Sequence, residues 1–488
     1  MVFILTLLCG MVSDAANNLI TQQITIKLDK AGTLPNKIGS TRKYQLTNLK
    51  IIGEINGTDL RMIRDMAGRS DLRDLPPGEG MTSGKLSVLD LSEAKIVEGG
   101  DYYYYNRTYA KPEFFYTSED CLGDHAFQNC SSLTSLTIPS SVTKIGTYAF
   151  ENCEGLTNVN IPSSVTEIGY YAFAGCSGLT RLDIPSSITK IYNFTFYGCS
   201  ALTSLKIPSS TTEIGDYAFK NCNGLTSLDI PSSIIRIGDY AFQNCSALTS
   251  LTISSGVTRI GNCAFDGCSA LTSLAIPSSV TEIGGSAFSN CRGLTSVTIP
   301  SSITKISGNA FYGCSGLTSV IIPSSVTEIG YYAFENCTGL TSVTIHSSVT
   351  EIGVRAFKNC SGLTNVNIPS SVTKIGSDAF TNCTSLTSVY VSWQSPISVN
   401  NAFDRIVSSK CTLYVPQGTY QDYLLADVWG DFENIVEYDA TGINNVTTSS
   451  DAKEVYRYSL NGQRLSAPTK GVNIVKYSDG SVKKVTVK

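Results

Sequence analysis

Residues 133–153 read LTSLTIPSSVTKIGTYAFENC, and their copies fill the middle of the chain. Phe150 recurs at Phe127, Phe173, Phe196, Phe219, Phe242, Phe265, Phe288, Phe311, Phe334, Phe357, Phe380 and Phe403, always 23 residues apart. Cysteine keeps the same step from Cys130 to Cys383, with no insertion. Within one unit, Leu133, Leu136 and Ile138 end in the period-two pattern of a short strand. Pro139 and two serines make a turn. Val142 and Ile145 form a second extended stretch closed by Gly146, and Ala149, Phe150 and Cys153 have the spacing of a single helical turn. A 23-residue unit cannot bury three apolar corners alone, but stacked units can, each residue lying on its copy in the next coil. The fold class is therefore a repeat solenoid with parallel β-strands, and twelve coils at about 4.8 Å make a rod roughly 58 Å long.

The strand Leu-x-x-Leu-x-Ile followed by Val-Thr-x-Ile-Gly-x-x-Ala-Phe-x-x-Cys resembles the BspA-like leucine-rich repeat family, over about residues 121–420. The resemblance implies a capped solenoid, a surface or secreted location, and roles in adhesion, host-protein binding or co-aggregation.

The ends of the chain lack the period. Residues 2–12 are an apolar run followed by small residues at Ser13 and Ala15, the pattern of an export signal, so residues 1–16 are expected to be a signal peptide. Residues 17–120 contain two degenerate leucine-rich strands and are expected to form an N-terminal leucine-rich-like cap, with a short helix at 60–67 and a loop at 71–84. The tyrosines at 102–105 read as cap packing or as an exposed sticky patch. The solenoid and its C-terminal cap are expected over 121–438, with a last strand at 412–416 and a capping helix near 420–429. A polar linker follows at 439–453. Residues 454–488 alternate as about three antiparallel strands with a turn at Asp479-Gly480, and resemble the C-terminal sorting tails of proteins exported across the outer membrane.

Composition excludes several functions. The net charge of −4 supplies no basic field for nucleic acid or anionic lipid. Two histidines, His125 and His346, are too few for histidine-rich metal sites, and both replace repeat residues. There is no nucleophile elbow, phosphate loop or HExxH motif, so no catalytic, cofactor-binding or metal residue is assigned. Sixteen cysteines invite a disulfide reading. Parallel copies about 4.8 Å apart do not match disulfide geometry, and a line of thiols does not match a zinc site, so the expectation is a buried thiol ladder.

Binding then rests on exposed repeat positions. One candidate group is Arg181, Asp183, Lys206 and Asp229, expected to form a charged cluster on the strands. The other is an aromatic stripe two residues before each phenylalanine: Tyr148, Tyr171, Phe194, Tyr217 and Tyr240. That stripe is either an exposed surface able to stack sugars or a thicker core. The expected function is a non-enzymatic extracellular or outer-surface adhesin. Its partner is expected to be a host matrix or neighbouring-cell protein, with neither nucleic acid nor membrane insertion involved. The alternative is a glycan-binding module.

Overall fold

The computed structural model describes residues 13–14, 19–69, 82–106, 112–439, 454–459, 464–477 and 482–487. The expected signal segment up to residue 12, the proposed linker from 440 and the Asp479-Gly480 turn lie outside them. Two compact units are present, residues 1–437 and 438–488.

Each repeat is one coil carrying two short parallel strands. In the first repeat these are Ser135–Thr137 and Lys144–Ile145. Register follows the 23-residue step: Ser135 faces Asn158 and Leu136 faces Val159, while Ile145 faces Ile168. Alternation points Leu136 inward and Ser135 and Thr137 outward, the pleat rule for a half-buried strand.

The third corner departs from the sequence expectation. It is a turn with two left-handed residues, not a helical one. Tyr148 has φ 57° and Asn152 φ 57°, and their copies are left-handed throughout. This geometry sends alternate amides in different directions. Tyr148, Phe150 and Asn152 donate to Tyr170, Ala172 and Ala174 of the next coil at 2.7–2.9 Å. Glu151 and Cys153 donate within the turn, to Tyr148 and Phe150. The second left-handed position is asparagine or glycine in every repeat from Asn129 to Asn382, the residues that tolerate that conformation best.

The core is a set of rows. The phenylalanine rings stack at 4.9–5.8 Å from Phe127 to Phe403. All fifteen cysteines among the described residues are free thiols. Each ladder thiol from Cys153 to Cys383 donates to the phenylalanine carbonyl of the preceding coil, Cys153 to Phe127 at 3.0 Å and Cys268 to Phe242 at 3.4 Å. Burial pushes these thiols above their ordinary range, to about 12 at Cys199, Cys314 and Cys383. Threonine and asparagine rows bond to themselves outside the core. Thr157 Oγ1 donates to the Thr134 carbonyl (3.0 Å), and Asn152 Nδ2 donates to Asn129 Oδ1 (3.1 Å).

A glycine row sets how closely coils approach. A Cβ at Gly238 would lie 2.5 Å from the Gly215 carbonyl carbon. Tyr192 and Ser307 occupy this row in two coils. The second strand ladder is interrupted at those places, between Glu167–Ile168 and Lys190–Ile191 and between Glu282–Ile283 and Lys305–Ile306. At the latter, Ser307 Oγ takes the Ile283 carbonyl (2.5 Å), a role filled elsewhere by a glycine amide, as Gly284 bonds Ile260.

Before the first repeat, strands Ile24–Lys27, Asn48–Ile55 and Val88–Ile96 join Ser135–Thr137 in one parallel sheet. The helix runs Gly57–Met66, three residues ahead of the sequence expectation, because Asn56 caps it in a capping box with Asp59. Asp59 is fully buried yet accepts backbone amides from Gly32, Leu34 and Asn56. In the tyrosine run, Tyr103, Tyr104 and Tyr105 are all buried, so packing is the outcome. Beyond Phe403, Trp429 is fully buried against Phe403, Trp393 and Tyr423. Strand Thr412–Pro416 extends the sheet, and the helix is the shorter Tyr420–Leu424. Among the described residues the second unit holds four antiparallel strands, one more than expected, the addition being Arg464–Leu465.

Two outcomes follow. Phe242→Ala should lower stability by about 3–5 kcal/mol in urea unfolding, whereas Ile321→Thr, at a side chain 71% exposed, should change it by no more than about 0.5 kcal/mol. Denatured, unreduced protein should titrate with roughly twelve or more equivalents of a thiol reagent, while in the native fold the ladder cysteines stay unreacted.

Candidate functional surface

The strand candidates do not form one cluster. Arg181 and Asp183 pair within their own strand at 3.1 Å, each side chain 75% exposed. Lys206 lies opposite Asp183 in register, yet among the described residues neither Lys206 nor Asp229 is within ion-pair distance of a partner. Asp229 also stands in a separate two-stranded ladder. Lys206 and Asp229 are exposed to solvent. Their row is exposed from Asn160 through Ile321 and Thr344, and its chemistry changes at almost every coil.

Charges do assemble on the second strand, in a row the repeat formula left as a variable position. Lys144 pairs with Glu167 (3.0 Å), Lys190 with Glu213 (2.9 Å), Arg259 with Glu282 (3.1 Å), Lys305 with Glu328 (2.7 Å) and Lys374 with Glu351 (2.6 Å). The sign changes at most of the 23-residue steps, broken at Arg236/Arg259 and Glu328/Glu351, were the available signal. Exposed pairs of this kind contribute at most about 1 kcal/mol each; the row leaves that face self-neutralised.

The aromatic stripe is continuous. Centroids are 4.9 Å apart for Tyr148–Tyr171, 4.4 Å for Tyr171–Phe194, 4.5 Å for Phe194–Tyr217 and 4.6 Å for Tyr217–Tyr240, all stacked. The five rings are half-buried, intermediate between the two sequence readings. Their faces lie on one another, so the row presents ring edges along its side. Lys220 lies over the rings of Tyr217 and Tyr240. Burial, with the Glu151 carboxylate nearby, raises the Tyr171 phenol above its ordinary value.

The stack runs further toward the N-terminus than the stripe did. His125 stacks on Tyr148 (4.9 Å) and on Tyr104 (4.2 Å). Arg64, itself buried, packs over Tyr104 and donates to the His125 carbonyl. His125 therefore joins the N-terminal strands and helix to the first coil. Its ring contacts Phe115 at the edge and bonds Gln128 through Nδ1 (2.6 Å). Burial, with the Arg64 cation adding to it, lowers its pKa to about 4. His346 instead stands at an exposed turn position in the place of proline.

Among the described residues, no three histidine, cysteine, aspartate or glutamate side chains are placed to hold a metal ion. No helix among them is long and apolar enough to cross a membrane.

The family model described as BspA type leucine rich repeat region (6 copies) matches residues 120–249, 189–318, 235–363 and 304–417. Three similar solved structures are leucine-rich repeat proteins. One, from Bacteroides ovatus, has 28% identity over 63% of this chain and 99% of its own, with TM-score 0.42. A leucine rich cell surface protein from Faecalibacterium prausnitzii has 26% identity over 77% and 95%, with TM-score 0.41. One from Eubacterium ventriosum has 27% identity over 51% and 83%, with TM-score 0.36. No curated protein matches the chain.

Because the folded histidine binds its proton less readily than the unfolded one, the unfolded state takes up protons first as pH falls from about 6.5 to about 4. Stability should be lost across that window, by roughly 3 kcal/mol for this group at the low end. His125→Tyr, which restores the residue of the next coil, should show a smaller fall in melting temperature between pH 7 and 4.5 than the wild type.

Proposed function

The chain belongs to the BspA type leucine-rich repeat family, and on that premise we propose a non-catalytic binding protein of the cell surface or the secreted pool. Its expected role is that of an adhesin for a host matrix or neighbouring-cell protein. One observation carries this reading. The coils share nearly identical buried rows, while the outward strand row runs Asn160, Asp183, Lys206, Asp229, Thr252, Ala275, Thr298, Ile321, Thr344, Asn367 and Tyr390. A rigid scaffold on which exposed residues change without disturbing the fold is what protein recognition by a solenoid requires. Exposed Ile235, Ile321 and Tyr331 add apolar contact points. The apolar run at residues 2–12 and the resemblance of the tail to sorting tails support export.

The glycan reading is weaker. Sugar rings pack on aromatic faces, and here the ring faces are turned toward neighbouring rings.

The test is a binding screen of the purified chain against extracellular matrix proteins and a glycan array. A protein hit that free sugars do not displace, weakened several-fold by Arg181→Ala with Asp183→Ala, is the expected result. A sugar hit lost in Tyr171→Ala with Tyr217→Ala would replace the adhesin reading.

A further inference from the structure

The coil at residues 191–199 departs from the repeat more than its neighbours do. Tyr192 replaces glycine, Phe194 replaces tyrosine, and Thr195 replaces alanine, its hydroxyl buried and bonded to the Tyr192 carbonyl (2.9 Å). Substitutions that break a local rule in one place concentrate where the fold serves something besides stability. The second strand ladder stops beside this coil. The surface there holds a trough of about 280 Å³, running across four coils between the aromatic stack and the row that follows each phenylalanine.

In that second row the side chains are Glu151, Ala174, Tyr197 and Lys220 in successive coils. Ala174 and Gly175 make a notch because the residues on either side, Glu151 and Tyr197, are large. The edges of Tyr171, Phe194 and Tyr217 form one wall. Glu151 stands at one end, accepting a hydrogen bond from Gln128. Lys220 stands at the other end, over two tyrosine rings and, among the described residues, without a carboxylate partner. Three coil steps separate the two charges, ~14 Å at one strand spacing per step.

We infer that this trough binds an extended peptide segment of a partner protein, with a cationic and an anionic side chain four residues apart and an apolar side chain between them. This rests on the protein-binding reading above and adds to the strand row a second contact site for the partner protein. The charge complement is dipolar: a cation meets Glu151 and an anion meets Lys220. An extended chain advances about 3.4 Å per residue, so four residues cover ~14 Å. Alternate side chains share a face, which puts positions one, three and five on the trough and sends the third into the notch at Ala174. The edge-on aromatic wall suits an aliphatic group and offers no open face for a sugar.

The probe is an end-blocked, dye-labelled pentapeptide, arginine-serine-leucine-serine-glutamate, titrated with the full chain by fluorescence polarisation. Binding with Kd below about 1 mM is expected. Glu151→Lys and Lys220→Glu should each weaken it at least about tenfold, and the double exchange should restore it, because the peptide then lies in the opposite direction. Ala174→Tyr, which copies the residue of the next coil, should abolish binding; Ala174 is itself buried, so the melting temperature is measured alongside, and if that variant does not fold, the charge exchanges decide. The inference is overturned by no binding of the probe, by equal binding of the arginine-only or glutamate-only pentapeptide, by insensitivity to the charge exchanges, or by displacement of the probe by a neutral oligosaccharide. Capture of a matrix protein that these variants leave unchanged would overturn the trough alone; a screen silent for proteins with peptide binding intact would overturn the adhesin reading alone.

Discussion

Every side chain in the solenoid must tolerate its own copy one coil away. A parallel ladder in strict 23-residue register brings identical positions to within about 5 Å, and that constraint sorts residue types by whether like stacks on like. Phenylalanine rings stack, small thiols pack and bond to a carbonyl, threonines and asparagines hydrogen-bond to themselves. Charges repel their copies, and the row through Lys144 and Glu167 changes sign at most steps, the like neighbours being Arg236 with Arg259 and Glu328 with Glu351. Glycine recurs where the backbone of the preceding coil leaves no room for a Cβ.

The same constraint explains why irregularity is informative. In a chain whose units contact only their neighbours, one departing residue disturbs one interface and leaves the rest intact. Tyr192 and Ser307 each coincide with a break in the second ladder. Ser307 repairs its own loss with a hydroxyl, whereas the coil of Tyr192 carries further departures at Phe194 and Thr195 and borders the trough. The left-handed backbone beneath the aromatic row pushes those rings to the corner, where they stack on each other and cover their own faces. Aromatic content by itself therefore says little about sugar binding; orientation decides it.

The caps obey a different logic, since each must present to the solenoid end a surface that is not a copy of itself. At one end His125 replaces tyrosine and stacks with Tyr104 under a buried arginine. At the other the last ring, Phe403, meets Trp429 tilted and Phe432 edge-on, which halts the stacking of parallel rings. The first of these contacts ties the integrity of the cap to pH, because a protonated imidazole would be buried away from water and, in addition, lie near the Arg64 cation.

The amino-acid sequence by itself determined the coil, its register, its free thiols and the identity of every buried row, because Phe127 to Phe403 and Cys130 to Cys383 recur at one fixed interval and fixed-interval contacts are local from coil to coil. A helix over 60–67 and the strand at 412–416 were legible in the sequence, while the start of that helix at Gly57 came with the capping box of Asn56 and Asp59. Only the tertiary structure decided that Tyr148 and Asn152 take left-handed backbone, that Arg181 pairs with Asp183 while Lys206 and Asp229 stay apart from them, and that Glu151, Ala174 and Lys220 border one trough. Spacing reports which residues share a row, but ring orientation, side-chain reach and the gap left by a small residue depend on backbone dihedrals and neighbouring volumes that no interval encodes.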